Sequence, residues 1–89
     1  MNFDKSFTME KLIRLKVRKD LDAKMQHNIL KLKGSLIAKG YTEIIHILDQ
    51  DEDFHINTFE AELEKYNEVR QYIASFIEQE SLAETISFK

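Results

Sequence analysis

Eighty-nine residues, 43% of them apolar and 33% charged, suffice for one domain with a modest core and exclude both a disordered tract and a bilayer-spanning chain. The lack of cysteine excludes disulfides and thiolate chemistry, and the lack of proline, with only Gly34 and Gly40 as glycines, argues against many short strands joined by tight turns. The net charge of −3 conceals a division: residues 1–40 hold ten Lys/Arg against four Asp/Glu, a balance of +6, and residues 41–89 hold three against twelve, a balance of −9.

These features predict a single all-α domain over residues 1–89: a small helical bundle, or a hairpin of two long helices with a short middle helix. Its basic helical half (1–40) and acidic helical half (41–89) attract each other across the bundle. The opening Met1-Asn2-Phe3-Asp4-Lys5 has no basic-then-apolar signal pattern, so a cytoplasmic setting without membrane contact is expected.

Ser6 and Thr8 are candidate N-caps, and Glu10 suits the positive end of a helix that follows them. From Met9 nothing interrupts a helix before Gly34. Leu12, Ile13, Leu15 and Val17 scatter around a helical cylinder, whereas Leu21, Met25, Ile29, Leu32 and Leu36 fall on one stripe. Either one long helix changes partners near Arg18-Lys19-Asp20, or a short first helix ends there and Asp20 or Asp22 caps the next. The preferred reading is one nearly continuous helix from about 9 to 33 or 39, closed by Gly40 in a left-handed C′ position.

Thr42 then caps a short buried helix over 43–48. Its isoleucines also suit a strand, but a solitary strand has nothing to pair with. An acidic connector, 49–53, leads to Asn57 and Glu60, spaced as a capping box. Phe59, Leu63, Tyr66, Val69, Ile73, Phe76 and Ile77 share one face of the helix expected next, with Glu60, Glu64, Glu68 and Glu78 opposite. Ser81 opens a possible last helical turn.

Three patterns bear on function. Asp49, Asp51, Asp53, Ile56, Asn57 and Glu60 fall on positions 1, 3, 5, 8, 9 and 12 of a twelve-residue loop that resembles the calcium loop of EF-hand proteins. The resemblance implies a weak calcium-responsive helix–loop–helix around 49–60, although Phe54 stands where that family has glycine. His27, His46 and His55 lack the pairing on one helix face that metal ligands need, and no metal or other cofactor is expected. No nucleophile setting or glycine-rich phosphate loop points to an enzyme.

The third pattern is the basic run Lys11, Arg14, Lys16, Arg18 and Lys19, interleaved with apolar residues, which suits either a nucleic-acid groove or a protein partner. A first helix of about thirty residues, roughly 45 Å long, would outrun its acidic partner and leave Leu12, Ile13, Leu15 and Val17 uncovered. The expectation is therefore a small non-enzymatic protein-interaction or regulatory module. It would bind another protein or a second copy, as a homodimer, through Leu12, Ile13, Leu15, Val17, Arg14 and Arg18 on the N-terminal helix. Nucleic-acid binding through the basic run is the alternative.

Overall fold

The computed structural model describes residues 9–89; Ser6 and Thr8, read as caps, and residues 1–5, read for a signal pattern, lie outside them. From Ile13 to Arg18 apolar and cationic side chains alternate with a period of two, and the stretch is a strand, β1 (Glu10–Arg18). The scatter around a helical cylinder is what a strand's alternation looks like on the wrong projection. The domain is accordingly α+β, with four antiparallel strands in one sheet and two helices, and not the expected all-α bundle with its basic and acidic helical halves.

After β1 the chain turns at Lys19-Asp20 into α1 (Ala23–Ala38). Asp22 is its N-cap, with the Met25 N–H donating to Asp22 Oδ1 at 2.8 Å. Of the two readings of this region, the Asp22 cap holds, but the element before it is a strand, so neither the continuous helix from 9 nor a short first helix forms. The stripe is real: Ile29, Leu32 and Leu36 are buried, and Leu21 and Met25 pack against the same core. Gly34 stays inside the helix. Gly40, at φ +75°, closes it: the Tyr41 N–H donates to Leu36 C=O and the Gly40 N–H to Ile37 C=O, each at 3.0 Å, a Schellman pair.

The expected short helix over 43–48 is instead a bend followed by strand β2 (His46–Asp49), and it does have a partner. A turn over 50–53 returns the chain as β3 (Phe54–Glu62), which pairs with β2 on one side and β1 on the other. Asn57 is thus not a helix cap. It stands opposite Leu15 on the core face of β3, 2% exposed, with its Oδ1 unpaired. The helix expected from Phe59 begins later: a 3₁₀ turn (Leu63–Lys65) leads into α2 (Tyr66–Gln79), which buries Val69, Ile73, Phe76 and Ile77 and turns Glu68 and Glu78 to solvent. Ser81, at φ 57°, ends α2 with a second Schellman pair, and β4 (Ile86–Phe88) then pairs with β1.

The sheet order is β2-β3-β1-β4, so each helix connects two strands that flank a third. That connectivity is the split βαβ arrangement of ferredoxin-like folds, a topology that hosts many unrelated functions. Ile13, Leu15, Val17, Phe59, Ala61 and Ile86 lie on the sheet face that both helices cover and form one core with them. The other face carries Leu12, Arg14, Lys16 and Arg18 of β1 beside Phe54, Ile56, Thr58 and Glu60 of β3 and is left open. Among the described residues no helix is long and apolar enough to cross a membrane.

Candidate functional site

The six residues expected to bind a partner divide between the two faces of β1. Ile13, Leu15 and Val17 are core residues, Ile13 being 1% exposed, while Leu12, at 44%, shares the open face with Arg14 and Arg18. β1 is a strand paired at both edges, so among the described residues the N-terminal helix through which self-association was expected is absent, and only one face of this segment is open.

The EF-hand resemblance dissolves for a related reason. Positions 49–60 form a β-hairpin, not a helix–loop–helix; Asn57 points into the core, and Glu60 lies on the open face away from the turn. Asp51 instead builds the turn. Its Oδ1 accepts the Asp53 N–H at 2.8 Å and the Phe54 N–H at 2.9 Å, which holds its carboxyl below the usual 3.8, with Gln50 and the charge of Lys16 assisting. Asp49 Oδ1 lies 3.3 Å from Lys19 Nζ and 3.1 Å from His55 Nδ1, the latter at ion-pair distance without the angle of a hydrogen bond. His27 is exposed on α1 and His46 belongs to β2, so the three histidines stay apart. Among the described residues no group of three or more His, Asp or Glu is placed to hold a metal ion.

The feature the sequence reading missed is an uncovered length of sheet. β1 pairs with all nine residues of β3, but β2 pairs only with His55, Ile56, Asn57 and Thr58, so among the described residues no strand lies beside 59–62 on that flank. Antiparallel alternation says which backbone groups are left over. The Lys19 N–H bonds to Asp53 C=O and the Leu63 N–H to Met9 C=O, so odd-numbered residues of β3 face β1. The Gln50 N–H bonds to Phe54 C=O, so even-numbered ones face β2. The N–H and C=O of Glu60 and the N–H of Glu62 therefore point into the gap, whereas the Glu62 C=O, at the N-cap of the 3₁₀ turn, is taken by that turn's first bond.

In the continued register Ile44 would stand opposite Glu60. Its carbonyl is taken locally, by the Thr42 hydroxyl donating at 3.2 Å, a side-chain-to-backbone bond that competes with the ladder. The diverted 40–45 segment is also tied away from the sheet. Tyr41 donates its hydroxyl to Glu68 Oε2 on α2, which raises the phenol above its usual 10.0, and its ring meets Tyr72 edge-on at 6.0 Å. Between this segment and β3 opens a cleft of about 440 Å³, lined among others by Leu12, Ile44, His46 and Phe59.

The surroundings are apolar and mostly acidic, with Lys65 a cation among the lining residues. Of the eight large hydrophobic residues exposed among the described residues, Leu12, Ile47 and Leu48 lie on β1 and β2, Met9 and Leu63 flank the ends of β1 and β3, and Ile44 lines the cleft from the segment before β2; Leu30 and Ile37 belong to α1. Ile44, Ile47 and Leu48 are each more than half exposed. Glu10 and Glu62 stand directly opposite each other on the open face, with Glu60 next along β3, and all three line the cleft. Like charges in that position repel. The isoleucine-rich 44–48 run was the available signal, and it was set aside for want of a partner strand. No family model matches the chain, and neither a curated protein nor a solved structure matches it.

Proposed function

We propose that this is a small, non-enzymatic, cytoplasmic protein-interaction module that takes up an extended segment of another protein along the flank of β3 and β2. The observation that carries the reading is the Glu60 N–H and C=O and the Glu62 N–H facing a cleft, on a strand paired along its whole length on the other side. Uncovered strand edges are templates for strand addition, where main-chain bonds give affinity and alternate side chains give specificity. The exposed Ile44, Ile47 and Leu48 supply apolar surface that a partner would cover.

A photo-crosslinking side chain at position 44 tests this. It is expected to capture a discrete partner in cells, while the same group at position 30, on the outside of α1, captures none. Equal capture at both positions, or none at 44, rejects the reading.

A second reading is favoured by the row of Arg14, Lys16 and Arg18 on the open face beside Phe54, whose ring lies 4.1 Å from Lys16 Nζ. A single-stranded nucleic acid lying on cations and an aromatic would use such a row. Binding to a mixed oligonucleotide that falls steeply between 50 and about 200 mM salt supports it, and a flat response dismisses it.

A further inference from the structure

We infer that the segment received by the cleft is a basic one, with Lys or Arg at alternate positions and apolar residues between them. This rests on the edge-docking reading and specifies its partner. A strand laid against residues 59–62 would bond to the N–H and C=O of Glu60 and to the N–H of Glu62, and place its own side chains opposite theirs. Glu60 and Glu62 are two residues apart and share the open face, so the partner's residues opposite them are also two apart and share it. Glu10 joins the same patch from across β3.

The opposition of Glu10 and Glu62 falls at a pair without mutual backbone bonds, where antiparallel strands bring side chains closest. In the free protein this arrangement costs stability, and a cation seated between the carboxylates removes the cost. The partner's intervening side chains turn to the other face, beside Phe59 and Tyr41. A second copy of this chain would bring its own carboxylates to the same place and is disfavoured as occupant.

The probes are three synthetic octapeptides: alternating Lys/Val, alternating Glu/Val, and Lys/Val with every lysine amide N-methylated, the amides that would face β3. The readouts are fluorescence anisotropy and hydrogen exchange at the Glu60 and Glu62 amides. The Lys/Val peptide is expected to bind about tenfold more tightly than the Glu/Val peptide and to slow exchange at both amides. The N-methylated peptide is expected to bind without slowing exchange, or not at all. In the double variant Glu60→Lys, Glu62→Lys, checked as folded by its melting curve, the order of the two charged peptides should invert. Equal protection by Lys/Val and Glu/Val overturns the basic partner and leaves edge docking standing. No protection by either peptide overturns edge docking itself, and so does equal protection by the N-methylated peptide.

Discussion

Single side chains decide how this chain turns. Ser81 holds a left-handed backbone, φ 57°, so that the Leu82 N–H can reach Ile77 C=O at 2.8 Å and bury Leu82 in the core. A non-glycine residue in that conformation costs about 1 kcal/mol. Ser81→Gly should therefore stabilise the domain by roughly that amount, raising its melting temperature by several degrees; calorimetry reads the change. Asp51 acts through charge. Because the fold holds its carboxyl below 3.8, its contribution is present above that unfolded value and is lost as pH falls through the folded one. Melting temperatures recorded from pH 6 to 2 should drop below about pH 4, and Asp51→Asn should lessen the drop. An unchanged acid limb in the variant would assign the sensitivity to other carboxylates.

At the scale of elements, the helices were legible and the strands were not. The stripe of Leu21, Met25, Ile29, Leu32 and Leu36, the stop at Gly40, and the apolar face of Val69, Ile73, Phe76 and Ile77 are local signals with local causes, and each has its place in the fold. A strand's cause is distant: β1 is completed by residues 54–62 and 86–88, and β2 by residues 55–58. Without those partners the period of two in Ile13, Leu15 and Val17 passed for a disordered helical pattern, and Asn57 with Glu60 passed for a cap. The docking flank was less legible still, because it exists only where β2 falls short of β3. Its acidic patch predicts a trade between stability and binding. Glu62→Lys turns the repulsion with Glu10 into attraction and should stabilise the free domain by a few tenths of a kcal/mol, read as a higher urea midpoint. The same variant should weaken uptake of the Lys/Val peptide. A lower midpoint would show that Glu10 and Glu62 do not repel.

Over the whole molecule, the division between +6 and −9 has a different meaning from the one a bundle gives it. The basic half supplies β1 and α1, and the acidic half supplies β2, β3, α2 and β4. The charges meet within one sheet, with Lys16 in register with Ile56 and sensed by Asp51, and with Lys19 beside Asp49.

That β1 is flanked on both sides by strands from beyond residue 40 means neither half owns a finished sheet. Peptides 1–40 and 41–89, made separately, should each be unstructured by circular dichroism and should regain the native spectrum on mixing. Their recombination should be fastest at low ionic strength, where unlike halves find each other over the longest range. The chain is in this sense a two-part reporter joined at Gly40: cut there, it would signal whenever two proteins bearing the pieces were brought together.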